Sequence, residues 1–143
     1  MSYPIKKKKG VIITLFFIFL FSFLFIYVRP VKIITDKYEK VILLWAWTKG
    51  RVEFTNSVTG GKVKILFDLS DEFNHFRMDT DEKTENYYTS GTYDINNLLK
   101  KEKERELFYC SIVGIKVTLG SFSTEVKNSC ITLEVLWPPK KIF

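Results

Sequence analysis

The sequence predicts a mainly β protein in which a single N-terminal transmembrane helix precedes a small antiparallel β-sandwich or barrel-like domain of about seven strands. Two observations predict this fold class. Residues 11–28 carry no charged side chain. From about residue 33 onward, the chain alternates short runs of branched and aromatic residues with turns that contain glycine. We therefore expect one β domain, residues 33–143, whose length is that of an ordinary single domain.

The apolar segment, residues 11–28, is long enough to cross a bilayer. It contains eighteen residues, six of them phenylalanine. At about 1.5 Å per residue it reaches roughly 27 Å, close to the ~30 Å of a hydrocarbon core. A cleavable signal peptide has a shorter apolar region, followed by small residues, whereas large residues occupy positions 27–31 and the single alanine is Ala46. The segment is interpreted as a retained signal anchor, with a cleaved signal peptide as the alternative.

The charges on either side of this segment predict its orientation. Residues 6–9 are four consecutive lysines, whereas Arg29 and Lys32 are the basic residues that follow it closely. By the positive-inside tendency, the N-terminus stays in the cytoplasm. We therefore expect a cytoplasmic basic flank, residues 1–10, a single pass through the cell membrane, and an extracytoplasmic β domain.

The net charge of +6 does not predict nucleic-acid binding. All sixteen acidic residues lie beyond residue 32, and six of the 22 basic residues lie at or before it, so sixteen of each remain in the β domain. A neutral domain lacks the basic surface that binds a phosphate backbone. The lysines of the flank suit an anionic inner membrane surface instead. The membrane is therefore an expected partner and nucleic acid is not.

The first strands of the domain are predicted from residues 41–69. Residues 41–47 (VILLWAW) form an apolar run, the turn 48–50 follows, and residues 51–55 alternate polar and apolar side chains. This pattern predicts a hairpin. After a second glycine turn, residues 62–69 alternate again and would complete a three-stranded meander. Because the first strand is apolar on both faces, we expect it to be central or covered on both sides.

Later elements carry weaker patterns. Residues 76–79 and 86–93 are predicted as short strands, and Asp94 or Asn96 could cap a helix that continues toward the charged block 101–106. The remaining strand-like segments are residues 108–119 and 130–137, the last of which ends at Pro138 and Pro139.

The two cysteines, Cys110 and Cys130, are disulfide candidates. They lie 20 positions apart in the two C-terminal strand segments. An oxidising compartment would allow a bridge, which would stabilise the fold by about 3 kcal/mol on the chain-entropy model. The alternative is two small buried thiols that never meet.

The sequence predicts no catalytic residue, no metal site and no cofactor. His75 is the single histidine, and no nucleophile signature surrounds a serine. The acidic stretch that begins at Asp79 resembles the start of a calcium loop, but Thr84 and Ser90 occupy positions that require Gly and Glu. We therefore expect no enzyme. The alternative is an envelope hydrolase that uses His75 with an acidic or serine partner.

Aromatic residues offer a second kind of site. Trp45 and Trp47, with Tyr87, Tyr88 and Tyr93, could form a platform for a carbohydrate or another ligand. Alternating aromatic residues in strands also form core and cross-strand pairs. Trp45 and Trp47 are kept as candidate ligand-binding residues.

The order of segments also resembles a known family. An N-terminal anchor, then "KVILLWAWTKGRVEFTNSVTGGKVKILFDL", "YTSG", "IVGIKV" and "ITLEVLWPP", is similar to domain-of-unknown-function family 1850, small membrane-anchored proteins often encoded beside TAXI-type TRAP transporters. The family pattern has Tyr-Thr-His-Ser and a later Glu, where this chain has residues 54–57 and Ile65. The resemblance implies ligand-binding positions at Ser57 and Gly91, and at Asn56, which departs from the family histidine.

The function expected from these observations is that of a membrane-anchored extracytoplasmic binding or assembly module. The resemblance implies that it is accessory to a solute transporter of the TRAP type, with a transporter subunit as a partner. Tethering to the membrane raises the effective concentration of the module near such a partner. The sequence does not predict the oligomeric state.

Overall fold

The computed structural model describes residues 5–91 and 93–139. Its first element is helix α1, Ile5–Tyr27. Within α1, the stretch Lys8–Tyr27 is long and apolar enough to cross a membrane, and none of it is buried in the protein. Either a membrane anchor or an N-terminal signal sequence can form an apolar helix of this kind. The helix begins earlier than the predicted segment 11–28 because the lysines that precede the apolar run continue the same helix.

Within the described residues, ten strands and two short helices follow α1, so the predicted fold class, a mainly β sandwich behind an apolar helix, is confirmed. The strand count is higher than the expected seven because residues 28–34, 103–104 and 122–126 form strands that were not predicted and the predicted segment 108–119 is divided in two, whereas the predicted strand 86–93 is absent. The strands are β1 (Val28–Ile34), β2 (Glu39–Trp45), β3 (Lys49–Thr55), β4 (Lys62–Leu69), β5 (Phe73–Asp79), β6 (Lys103–Glu104), β7 (Glu106–Ser111), β8 (Ile115–Leu119), β9 (Phe122–Val126) and β10 (Ser129–Val135). The helices are α2 (Glu82–Thr89) and α3 (Asp94–Lys100).

The strands form two antiparallel sheets. One sheet has the order β2-β1-β10-β7, and the other has the order β6-β5-β4-β3-β8-β9. Alternate residues of both sheets point into one shared core. The largest fully buried side chains are those of Phe67, Phe73, Ile33, Ile65, Ile131 and Leu133. Gly50 lets β3 pass under this core, because a Cβ at this position would collide with the ring of Phe67.

The predicted hairpin between residues 41–47 and 51–55 is wrong. Strands β2 and β3 are consecutive in the chain but belong to different sheets, and the turn between them carries the chain across the sandwich. The second predicted pairing is present, since β3 pairs with β4 from Lys49↔Asp68 to Thr55↔Lys62. Strand β2 is an edge strand, not a central one. An apolar run looks the same in sequence whether the protein's own core or something else covers it.

Strand β1 has no counterpart in the sequence-based prediction. Pro30 lies inside β1, opposite Leu43 of β2. It is tolerated there because regular pairing with β10 begins one residue later, at Val31↔Val135. The side chains of Val31 and Ile33 are fully buried, so β1 is part of the core.

The predicted strand at residues 86–93 is also wrong, because residues 82–89 form α2. Asp81 caps this helix by accepting a hydrogen bond from the backbone nitrogen of Thr84, at 3.1 Å. The acidic stretch that resembled a calcium loop is therefore a helix start. Helix α3 begins at Asp94, so Tyr93 occupies the N-cap position and the expected cap at Asp94 or Asn96 is wrong. The charged block does not extend this helix, because β6 begins at Lys103.

Candidate functional site

The end of α1 is joined to the sandwich without a linker. Helix α1 ends at Tyr27 and β1 begins at Val28. The last four carbonyls of a helix have no hydrogen-bond donor within the helix. The sandwich supplies donors to two of these carbonyls in α1. The carbonyl oxygen of Tyr27 accepts from the backbone nitrogen of Ala46, at 2.7 Å, and that of Phe25 accepts from Nε1 of Trp137, at 3.0 Å. These bonds fix the direction in which the helix leaves the domain.

Aromatic side chains surround this junction and form what we term the aromatic base: Phe23, Tyr27, Trp45, Trp47 and Trp137. The rings of Trp45 and Trp47 are stacked with centroids 5.2 Å apart. Tyr27 lies 5.9 Å from Trp47, and Phe23 lies 6.4 Å from Trp45. Tyrosine and tryptophan rings with both apolar and polar edges are typical of membrane–water interfaces. The structure thus brings the two predicted candidates Trp45 and Trp47 together, beside the helix end.

Arg29 stabilises the junction between α1 and the sandwich through hydrogen bonds of its buried side chain. Its side chain is buried, and it donates hydrogen bonds to the carbonyl oxygen of Ser70 at 2.8 Å, to Oδ1 of Asp71 at 2.9 Å and to the carbonyl oxygen of Val28 at 3.2 Å. A buried guanidinium requires such partners, since an unpaired charge would be costly to remove from water. These bonds attach the β4–β5 turn to the first residues of β1. Sequence reasoning treated Arg29 only as a flanking charge.

A cavity of about 540 Å³ lies beside Arg29, between the end of α1 and the sandwich. One wall is apolar and consists of Phe25, Ile26 and the C-terminal segment that contains Trp137. The rest of the lining is charged and carries basic side chains of the segment 103–105 together with acidic side chains of the β4–β5 turn. The cavity is therefore amphipathic.

A second exposed feature is the outward face of β2. Val41 is 51% exposed, Leu43 72% and Trp45 45%. We term these three residues the β2 stripe. Edge strands of natural proteins are normally short, charged or covered, because an apolar edge invites association. None of the three residues of the β2 stripe is charged or covered. The stripe is continuous with the aromatic base because Trp45 belongs to both.

The positions selected from the family resemblance are Asn56, Ser57 and Gly91. They lie at the end of the sandwich far from α1, beyond the seven residues of β3, which span about 20 Å. Asn56 is buried and its polar atoms hold a turn. Its Oδ1 accepts from the backbone nitrogens of Val58 and Thr59 at 2.8 and 2.9 Å, and its Nδ2 donates to Oη of Tyr88 at 2.9 Å. Because these hydrogen bonds use both polar atoms of its side chain, Asn56 stabilises the turn that contains Val58 and Thr59.

Ser57 and Gly91 do not converge on a common site. Ser57 is exposed and lines an open cleft of about 670 Å³ next to Cys110 and Cys130. Gly91 follows α2, where a Cβ would collide with the ring of Tyr93. Neither residue lies near Trp45 or Trp47, so the predicted ligand-binding residues occupy two separate ends of the domain.

Cys110 and Cys130 form a disulfide. The two residues are directly opposite each other on the neighbouring strands β7 and β10. The sequence left bridged and free thiols open, because strand pairing decides whether the two Cβ atoms meet. The bridge joins the distal ends of these strands.

His75 lies at an irregularity in β5, with a left-handed φ of 57°. The register between β4 and β5 shifts at Leu66 and Asp68, so the extra residue turns outward. Nδ1 of His75 lies 3.0 Å from Oδ2 of Asp68 and 2.7 Å from Nη1 of Arg77. Partial burial alone would raise the pKa of Asp68, but the hydrogen bond with His75 and the charge of Arg77 outweigh burial and lower this pKa.

Within residues 5–91 and 93–139, the hydrogen bonds of the His75 ring join it to Asp68 and Arg77, and no hydroxyl or thiol is hydrogen-bonded to it. The same residues contain no group of three or more His, Cys, Asp or Glu side chains that could hold a metal ion.

Comparisons of this chain with protein-family models, with curated proteins and with solved structures find no match. The resemblance to family 1850 therefore stays a prediction.

Proposed function

We propose that this chain is a single-pass membrane protein with a cytoplasmic N-terminus, and that its sandwich is a binding or assembly module that docks a membrane partner through the β2 stripe. The observation that carries the proposal is the aromatic base, which joins the end of α1 to the sandwich with no linker. A module held in this way presents β2 to other membrane proteins at a fixed height.

Retention of α1 is supported by what cleavage would destroy. Because β1 begins at Val28 and its residues Val31 and Ile33 are fully buried, a cut near residue 30 would fall inside a central strand. It would also remove Phe25 and Tyr27, which pair with Trp137 and Ala46. A signal peptidase site normally lies in an accessible segment with small residues.

The need for a partner follows from distances along β2. The headgroup layer on each side of the hydrocarbon core is about 5–8 Å thick. At about 3.3 Å per residue, Val41 lies roughly 13 Å from Trp45 along the strand. When β2 rises from the bilayer, Trp45 lies in the headgroup layer, while Val41 and Leu43 extend beyond it. These two side chains then require a protein surface to shield them from water.

The partner that fits this surface is another membrane protein with an apolar face or a free strand edge above the bilayer. A solute-transporter subunit, which the family resemblance implies, is one such partner. Tethering restricts the search to the membrane plane, so an interface smaller than that of a soluble complex suffices.

Photo-crosslinking tests the docking surface in cells. A photoreactive amino acid at position 43 should give a discrete adduct with a membrane protein, and Val41→Asp in the same chain should abolish the adduct. The matched control places the same amino acid at Ser123, an exposed position on the edge strand β9, which should give none. Equal adducts at both positions, or none at position 43, would contradict docking through β2.

The anchor is tested on the same preparation. Intact-mass measurement of the protein extracted from membranes should give a chain that still contains residues 11–28, and externally added protease should reach the sandwich in spheroplasts. A mature chain that begins near residue 30, or a sandwich protected in the cytoplasm, would overturn the proposed topology.

The β2 stripe should contribute to docking and not to folding. Leu43→Ala is expected to change the free energy of unfolding by less than about 0.5 kcal/mol, because Leu43 is exposed. The matched change Leu133→Ala, at a fully buried leucine of β10, should lower it by about 2–5 kcal/mol. Chemical denaturation of both variants measures the difference. A large loss for Leu43→Ala would assign the stripe to the fold.

A further inference from the structure

We propose that the cavity between the end of α1 and the sandwich binds the phosphate of an anionic phospholipid. This inference rests on the proposed retention of α1 in the bilayer. It assigns a ligand to a region that sequence reasoning left without one.

The charges around the cavity favour a singly negative ligand. Arg29 is already paired with Asp71 at 2.9 Å. The other two cations, Lys103 and Arg105, have no carboxylate within ion-pair distance among the described residues, and Glu72 is the remaining acid at the cavity. Three cations and two acids leave one positive charge in excess, which a phosphodiester neutralises. Lysine and arginine are the side chains that bind phosphate most strongly.

The apolar wall favours a lipid over a free ion. Phe25 and Ile26, in the last turn of α1, are 64% and 58% exposed. Trp137 is held beside them by its hydrogen bond to Phe25. A phosphate bound by Lys103 and Arg105 would therefore have a continuous apolar surface next to it, along which the glycerol and the acyl chains can lie.

Depth and size agree with this ligand. The cavity lies where the apolar helix ends at Tyr27 and the strand begins, which is the headgroup level of a bilayer that α1 spans. Its volume of about 540 Å³ is within the range of roughly 300–1,000 Å³ that is typical of ligand sites. The chemistry is that of a phosphate monoanion, which a lipid headgroup or free phosphate could supply.

Native mass spectrometry of the full chain, released from nanodiscs, tests the proposal. Phosphatidylglycerol should remain bound to the wild-type chain in preference to phosphatidylcholine. The double variant Lys103→Ala/Arg105→Ala should retain about a hundredfold less phosphatidylglycerol, since each of the two charged hydrogen bonds that it removes is worth roughly a factor of ten. Glu72→Gln, which removes the opposing charge, should retain more. These two variants therefore predict changes of opposite sign.

A matched control separates a specific site from general attraction. Lys116→Ala/Lys127→Ala removes two exposed lysines at the distal end and should leave lipid retention unchanged. Equal loss in this control, or no preference for phosphatidylglycerol, would overturn the site. Displacement of the lipid by millimolar inorganic phosphate would overturn the lipid as its ligand. Circular dichroism of each variant confirms that the sandwich is folded.

The native mass spectrum also separates failure of this inference from failure of the proposed function. A chain whose mass shows that residues 11–28 are absent would refute the anchor. An intact chain without selective lipid adducts would refute the lipid site alone.

Discussion

Nε1 of Trp137 donates a hydrogen bond of 3.0 Å to the carbonyl oxygen of Phe25, which lies 112 positions earlier in the chain. Phe25 is in the last turn of α1, where carbonyls have no partner within the helix. Trp137 follows β10, the strand that pairs with β1. One hydrogen bond therefore ties the end of the last strand to the end of the helix.

Replacement of Trp137 by Phe tests this connection. The variant keeps an aromatic ring against Phe25 but loses the donor, so we expect the free energy of unfolding to fall by about 1 kcal/mol. Chemical denaturation of the full chain in detergent measures the loss. The control is Trp47→Phe, at an indole nitrogen with no hydrogen bond among the described residues, which should have a smaller effect. Equal losses in the two variants would mean that ring size, and not the hydrogen bond, holds the junction.

His75→Gly tests whether the histidine acts in chemistry or only in the backbone. Because φ is 57°, glycine adopts this conformation without steric cost, whereas a β-branched residue does not. We expect His75→Gly to leave the free energy of unfolding unchanged or to raise it by up to about 1 kcal/mol, and His75→Val to lower it by more than about 1 kcal/mol. Thermal denaturation compares the two.

The variant His75→Gly also tests the alternative function, a hydrolase that uses His75. A non-catalytic role predicts that His75→Gly retains biological activity in a complementation assay at a normal protein level. Loss of activity in a fully folded His75→Gly variant would favour an enzyme.

The disulfide should contribute substantially to stability. Cys110→Ser/Cys130→Ser removes a bridge that closes a loop across 20 positions, and we expect a loss of about 3 kcal/mol in the free energy of unfolding. Reductant should destabilise the wild-type chain by a similar amount and leave the double variant unaffected. If reductant affects both chains equally, the bridge is not the cause.

The cap of α2 should give the protein an acid-sensitive element. The side-chain and backbone hydrogen bonds from Thr84 lower the pKa of Asp81 from its ordinary value of 3.8. A carboxyl whose pKa is lower in the folded state stabilises the fold fully above its ordinary pKa, and this contribution is lost as the pH falls through the lowered value.

Asp81→Asn isolates this effect, because asparagine also caps helices but does not titrate. We expect the variant to be less stable than the wild type near neutral pH, because the amide has one acceptor oxygen where the carboxylate accepts from Thr84 with two, and to approach the wild type below about pH 4. Urea denaturation across pH 2–7 measures both curves. Parallel curves would mean that Asp81 does not contribute to the acid sensitivity.

Several elements could be predicted because local chemistry determines them. The uncharged run of residues 11–28 forms a helix in any environment that lacks water to satisfy its backbone. The alternating residues of β3 and β4, separated by a glycine-containing turn, pair as expected. For α2, the signal was present in the spacing of Asp81 and Thr84, but the tyrosines and threonines that follow favour strands and led to the wrong prediction.

The candidate site was only partly predictable. Trp45 and Trp47 were selected as candidate ligand-binding residues, but Arg29 and Trp137 were not, because their partners lie at Asp71 and Phe25, far away in sequence. The available signal for Arg29 was its position next to the end of the apolar run, whereas Trp137 lies 112 positions after Phe25. Asn56 and Ser57 were selected from the family frame, and their contacts with Tyr88 and with the cleft beside the disulfide depend on loop packing.

The sequence by itself determined that an apolar helix precedes a β domain, since hydrophobic length and alternation are local properties that the backbone must satisfy wherever it folds. Tertiary structure alone decided that β2 and β3 belong to different sheets, that the VILLWAW segment is an exposed edge, and that Cys110 faces Cys130. The physical reason is that strand order and register depend on which distant strands pair, and an apolar side chain gains the same free energy from any surface that removes it from water.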